Sequence, residues 1–406
     1  MCDCVVALDR ATARGTTLFG KNSDREKDEA QPVRSFPQAE HAAGVTVRCT
    51  YIEVPQVRET AAVLGTGPFW CWGLEQGLNE HGVVIGNNTV FTHEELELPD
   101  EGLLGMDLLR LGLERARTAR QAVEIIAELI ERFGQGGKGW MHIPLAYSNA
   151  FLIADREEAW TLQTSSRRWA ARRITDLGAT SNQLSIEEDW DLLSEDAERF
   201  AVDHGWWSPE SGRLNFKRAY RSTRLLPPVF SEGRLRRSTA LLEAARGQTK
   251  EADVFALLRD HGGTLAPAAA ERDQEAYFTL CAHNEVQGDT TASMVVALDR
   301  PICWTALGSP CTSPYLPLLL EGQVPPELMS GGKEPDGRSA WWAFKRLQQH
   351  VEEDFGRLAR VRDAFDPLEA EWLSWAAPLD APTERMAEAT ARALETCHSL
   401  LRELGA

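Results

Sequence analysis

Cys2-Asp3-Cys4-Val5-Val6-Ala7-Leu8, taken with Phe19-Gly20-Lys21-Asn22-Ser23-Asp24, decides how the rest of the chain is read. Apolar residues run from Cys4 to Leu8, and Thr16 to Phe19 is rich in β-formers. Between them, Asp9 to Gly15 reads as a connection whose glycine suits a turn or bulge. If the two strands form a hairpin centred near residue 12 or 13, paired residue numbers sum to about 25. Cys2 then faces residue 23, with Lys21, Asn22 and Asp24 around its thiol. The bland alternative is an edge hairpin with a polar turn behind it.

Cys2 directly follows a methionine, and a side chain that small favours removal of Met1 by an aminopeptidase. Cys2 would then carry a thiol and a free α-amine on one residue. The amine has an unperturbed pKa of about 7.7–8.0. It can take a proton from a nucleophile and return it to a leaving group.

This start resembles that of the secernins, which belong with the dipeptidase A-type cysteine peptidases among the N-terminal-nucleophile (Ntn) hydrolases. Bile salt hydrolases and penicillin V acylases are more distant likenesses. The Cys2-to-Asn22 spacing fits the pattern with Cys2 as nucleophile and leaves Cys4 as a core cysteine. A second block, Trp70-Cys71-Trp72-Gly73 with Asn79-Glu80-His81-Gly82-Val83, is similar to a secernin segment. The resemblance implies a four-layer α-β-β-α sandwich of two mainly antiparallel sheets, an α+β fold. It further implies hydrolysis of dipeptides or other small amides through a thioester on Cys2.

Composition sets the bounds. The chain has 406 residues, 43% hydrophobic and 26% charged, with a formal net charge of −18. That acidity disfavours nucleic acid and anionic membranes as partners. No window of about 18 apolar residues suggests a span, and the start lacks the pattern of a signal peptide. A cytoplasmic location with free thiols is expected for the cysteines at 2, 4, 49, 71, 281, 303, 311 and 397. The sequence is compatible with a homo-oligomer. No cofactor is expected. Cys2-x-Cys4 with Cys281-x-His283 lacks zinc-knuckle spacing, so no metal is expected either.

Further along, 45–54 alternates as a strand with Thr60 to Gly65 as its partner. Asn79-Glu80-His81-Gly82 reads as a tight turn feeding a strand that ends at Asn87 and Asn88. Their amides emerge where a sheet opens. With the resemblance, Asn87 becomes a candidate for the oxyanion hole, with Asn88 beside it, and the register between the two is open. Stripes at Leu104, Leu108 and Leu111, and from Ala122 to Phe133, give two helices stopped at Gly134. Strands follow at 149–154, 159–163 and 169–174. Asn182 sits where the family places a second active-site asparagine, or is a loop cap. Asp24 would hold the terminal ammonium or fix the thiol. Lys21 stands where the acylases have arginine: it keeps the charge, loses the planar fork, and as a nearby cation favours the thiolate. Lys21, Asn22 and Asn88 are the substrate-binding candidates. The acylases' later arginine maps only weakly onto Arg221 or Arg224.

Helices are expected at 236–245 and 252–258, then strands at 289–298 and 301–306. Pro317 to Gly337 reads as a linker. This divides the chain into a catalytic-type domain, 1–320, and a helical segment, 335–406, packed on it. An acylase acting on other small amides is the nearest enzymatic alternative to the dipeptidase, and two other functions stand beside them. One is a secernin-like regulatory or binding protein with little turnover. The other is a His-based cysteine protease, which needs His81, His93 or His283 beside a cysteine, where no spacing places them.

Overall fold

A computed structural model of the chain describes residues 2–94, 98–222, 229–267, 279–284, 288–299, 302–375 and 381–405, with side chains from 231 in the third stretch. Met1 and Arg224 lie outside these residues.

The N-terminal hairpin forms at the expected register. β1 (Cys2–Ala7) pairs antiparallel with β2 (Leu18–Arg25), Cys2 opposite Ser23 and Cys4 opposite Lys21. Gly15 takes a φ of 67°, the left-handed region where glycine is unstrained.

Two small ribbons and one long sheet follow. The strands are β3 (Val33–Phe36), β4 (Ala39–Glu40), β5 (Thr46–Arg48), β6 (Glu53–Pro55), β7 (Glu59–Thr60), β8 (Val63–Thr66), β9 (Gln76–Asn79) and β10 (Val84–Val90). The expected single strand over 45–54 breaks instead. β5 folds back on β6, and Val63–Thr66 pairs with β3 and β9. The reason is burial: the ends of β5 and β6 are exposed, so no sheet face demands one continuous strand.

α1 (Gly105–Arg115) and α2 (Ala119–Phe133) come next, the second ending at Gly134 with φ 77°. Then β11 (Ser148–Ala154), β12 (Ala159–Ser165), β13 (Arg168–Ile174), β14 (Leu177–Thr180) and β15 (Leu192–Leu193) are followed by α3 (Ala197–Asp203), α4 (Phe216–Tyr220), α5 (Val229–Ala245) and α6 (Glu251–Leu258). β16 (His283–Asn284), β17 (Gly288–Ala297), β18 (Ile302–Leu307) and β19 (Leu316–Leu319) complete the strands.

β14-β1-β2-β17-β18-β19 form one antiparallel sheet, with β16 on β17. β15-β13-β12-β11-β10-β9-β8-β3 form the other. The sheets meet where β1 and β14 lie over β10 and β11. α1 and α2 cover the outside of the eight-stranded sheet, and α5 and α6 cover the outside of the β1 sheet. The protein is therefore an α+β four-layer sandwich.

The stretch read as a linker is part of the fold. Leu316–Leu319 is an edge strand on β18, and its Pro317 is tolerated there because an edge has no second partner to supply. After α7 (Pro326–Met329) come α8 (Ala340–Glu353), α9 (Leu358–Leu373) and α10 (Pro382–Leu404). The inward stripe of α10, with Met386, Ala393, Cys397 and Leu400, joins Trp341, Phe344 and the β17–β18 strands in one apolar cluster. Those residues face this chain's own sheet. Among the described residues no helix is long and apolar enough to cross a membrane.

Candidate active site

The pleat divides the N-terminal strands into two polar faces. One faces the gap between the sheets and carries Cys2, Cys4, Lys21 and Ser23. The other faces the helices and carries Asp3, Asn22 and Asp24. β10 meets the first face with Gly86 and Asn88. A Cβ on Gly86 would come within 2.6 Å of Lys21 Cδ and 2.9 Å of Cys4 Sγ, so the close approach of the sheets requires glycine there.

Asn88, not Asn87, reaches Cys2. Asn88 Oδ1 accepts from Thr180 Oγ1 at 3.0 Å and from the Cys4 thiol at 3.2 Å. Those two donors fix the amide so that Nδ2 donates to the carbonyl oxygen of Cys2 at 2.6 Å. Burial pushes the Cys4 thiol well above its ordinary pKa, which suits it as a packed donor rather than a nucleophile.

Asn87 points into a different layer. With its nitrogen toward Glu75, the amide donates to the Glu75 carbonyl at 3.0 Å and to Oε2 at 2.5 Å. Glu75 also bridges two buried cations, Lys21 Nζ and an Arg25 guanidinium nitrogen, each at 3.3 Å. Arg25 in turn pairs with Glu29 at 2.8 Å. Lys21, Arg25, Glu75 and Glu29 thus sum to no net charge in a place shut off from water. Burial alone would lower the lysine's pKa, but nearby negative charge, that of the Glu75 carboxylate, outweighs it and holds Lys21 charged.

On the helix face the centre is a residue that the sequence reading missed. Arg234, on α5 and 2% exposed, ion-pairs with Asp3. Its Nη2 donates to Asn182 Oδ1 at 2.7 Å, and Nη1 lies 3.4 Å from the Cys2 carbonyl oxygen. Asn182 Oδ1 also accepts from the backbone nitrogen of Cys2 at 2.8 Å, while its Nδ2 donates to Thr89 O at 2.8 Å. Arg221, one of the two arginines considered, caps α4 and bridges to Thr92 instead. A signal for Arg234 was present: Ser231, Arg234, Ser238 and Leu242 share the buried face of α5, and a charge in such a stripe needs a buried partner.

Asp24 accepts from Thr290 Oγ1 at 2.7 Å and lies 3.8 Å from Arg234. Burial pushes its carboxyl up to about 6, against the pull of Arg234 and the Thr290 hydrogen bond. The β2–β17 register slips between Thr290 and Ala292, and this bulge aims Thr290 at Asp24 and Thr291 at the Ser23 carbonyl. The Asn22 side chain lies on the face of the hairpin opposite to that of Cys2. Its Nδ2 donates to the carbonyls of Leu258 and Leu280, at 2.8 and 2.6 Å, and ties β2 to the helices.

A match to Peptidase family C69 covers residues 2–260. The chain belongs to Peptidase family C69. A dipeptidase of Bifidobacterium longum (strain NCC 2705) is 26% identical over 216 residues, 46% of this chain and 38% of that protein. The C69 chain therefore spans well under two thirds of that relative's length. Among solved structures, a penicillin V acylase from Agrobacterium tumefaciens matches with TM-score 0.43 and 12% identity, covering 78% of this chain and 86% of that one. A mutant conjugated bile acid hydrolase from Clostridium perfringens matches with TM-score 0.42 and 14% identity, covering 76% and 89%.

His81, exposed in its turn, and His93, 4.9 Å from the Trp206 ring, belong to surface features of the C69 chain. His283 does lie beside cysteines, contrary to the sequence reading, but these are Cys281 and Cys311 rather than Cys2.

Proposed function

We propose that the protein is a cysteine-dependent amide hydrolase, most simply a dipeptidase, with Cys2 as an N-terminal nucleophile once Met1 is removed. The observation that carries this is the convergence of Asn182, Arg234 and Asn88 on the backbone of Cys2. Three buried polar side chains aimed at the backbone of one residue are costly to assemble for packing alone.

In this reading the Cys2 sulfur attacks the amide carbonyl and its own α-amine takes the thiol proton. The amine then gives that proton to the departing amine, leaving a thioester on Cys2. Water, deprotonated by the same α-amine, attacks the thioester and frees the thiol. Asn182 accepts from the α-amine and keeps its lone pair directed at the proton to be moved. Arg234 holds Asn182 in place. Asn88 Nδ2, close to the Cys2 backbone, is the donor best placed to receive a developing oxyanion. Asn87 instead supports Lys21 through Glu75. Lys21 stays charged on the strand face that also carries Cys2.

The test is hydrolysis of a dipeptide and acyl-amide panel by protein whose intact mass shows loss of Met1. Turnover that disappears in Cys2→Ala supports the reading. A panel with no turnover in the wild type overturns it and favours a binding protein.

A further inference from the structure

His261, Cys281, His283 and Cys311 come from separated stretches and converge on one buried point. Their ligand atoms all lie within 4.8 Å of one another. His283 Nε2 is 3.2 Å from Cys311 Sγ and 3.5 Å from Cys281 Sγ. A tetrahedral zinc with sulfur and nitrogen ligands has edges of about 3.4–3.8 Å, so the side chains already stand near that geometry.

The rings are turned for ligation. His261 Nδ1 is 2.8 Å from the Leu265 carbonyl oxygen, which can only accept, so the proton sits on Nδ1. Its Nε2 is buried and faces the Cys311 sulfur. His283 Nδ1 is 2.8 Å from Glu352 Oε1, an outer carboxylate of the kind that orients metal-bound histidines. Both Nε2 atoms are thereby directed at the two sulfurs. His261 is 3%, Cys281 0%, His283 4% and Cys311 2% exposed.

We propose that these four residues bind a thiophilic divalent cation, zinc above all, in a closed structural site. Two thiols release their protons to solvent on binding, and two thiolates cancel the charge of the ion. All four positions are filled by protein, which leaves none for a substrate. The site clamps the segment Cys281-Ala282-His283. The backbone nitrogen of Ala282 donates to Thr290 Oγ1 at 2.9 Å, and Thr290 Oγ1 donates to Asp24. The ion would thus fix the strand that supports Asp24 without touching Cys2.

The test is elemental analysis of the full-length protein purified without chelator or affinity metal. About one zinc per chain is expected, and Cys311→Ser and His261→Ala should lose it, while Cys303→Ser, another buried cysteine, should keep it. If those variants fail to fold, wild-type protein dialysed against chelator and titrated with Co2+ decides. Visible d–d bands with an ultraviolet sulfur-to-cobalt charge-transfer band, saturating at one equivalent, support the site. Metal-free protein with no cobalt spectrum overturns it. So does a Cys281–Cys311 disulfide in the freshly purified chain, or a Cys311 that alkylates equally fast with and without added zinc.

Discussion

Asn182 Oδ1 stands 2.8 Å from the backbone nitrogen of Cys2, and Arg234 holds that same oxygen at 2.7 Å. The amide is therefore locked with its acceptor on the atom that would be the terminal amine. Asn182→Ala should lower kcat by about 10²-fold or more, as loss of one aimed polar group does. Asn182→Asp should also fail, since its charge changes the amine's pKa. Steady-state kinetics on protein with verified Met1 removal checks both. Wild-type kcat in either variant would contradict the assignment.

Asn87 and Asn88 are neighbours with different duties. Asn88→Ala should cost about 10²–10³ in kcat with little change in KM. Asn87→Ala should act mainly on folding stability, through Glu75 and Lys21, by about 1–3 kcal/mol. Parallel kinetics and denaturant melts separate the two. The reverse pattern would restore Asn87 as the oxyanion donor.

The raised carboxyl of Asp24, about 6, gives a pH signature. Above that value Asp24 is ionised and can balance the positive charge around Arg234; below it the charge is lost. The amine must also be unprotonated, and its unperturbed pKa is about 7.7–8.0. The logarithm of kcat/KM should therefore rise with slope two below about 6 and slope one between there and the amine's pKa. Asp24→Asn should be slower and show slope one throughout. A wild-type profile with slope one down to pH 5 would remove Asp24 from the mechanism.

Lys21 pairs with Glu75 where neither can reach water. Lys21→Met leaves Glu75 with Arg25 but one charge out of balance, and should destabilise by about 3–5 kcal/mol. The double change Lys21→Met with Glu75→Gln should recover part of that loss. Guanidinium unfolding midpoints measure both. A double variant that loses as much stability as the two singles added together, or more, would show that the pair is not coupled in this way.

Much of this was legible in the residues. The apolar run from Cys4 to Leu8 and the spacing to Ser23 gave the hairpin register, because pairing numbers follow from the turn alone. Two helical stripes and the Asn79–Gly82 turn were equally local. The register at Asn87 and Asn88 was not, since it depends on which face of β10 meets β1, and only Gly86 reveals that. Arg234 stayed hidden because an arginine in a helix is usually solvated; its partners Asp3 and Asn182 are distant in sequence. Only half of the His261 cluster is local, Cys281-x-His283; its other two members, His261 and Cys311, are distant in sequence, and Cys2-x-Cys4 lies elsewhere. Pro317 and the prolines and glycines near it suggested a linker because an edge strand tolerates what a central strand cannot.

In the proposed mechanism the Cys2 sulfur forms the bond to the substrate carbonyl. The most direct measurement compares kcat/KM of wild type and Cys2→Ala on a cleaved dipeptide, both with Met1 loss verified by intact mass. Alanine keeps the terminal amine and removes only the sulfur. A fall of at least about 10³-fold is predicted. Hydrolysis by Cys2→Ala at the wild-type rate would rule out Cys2 as the nucleophile.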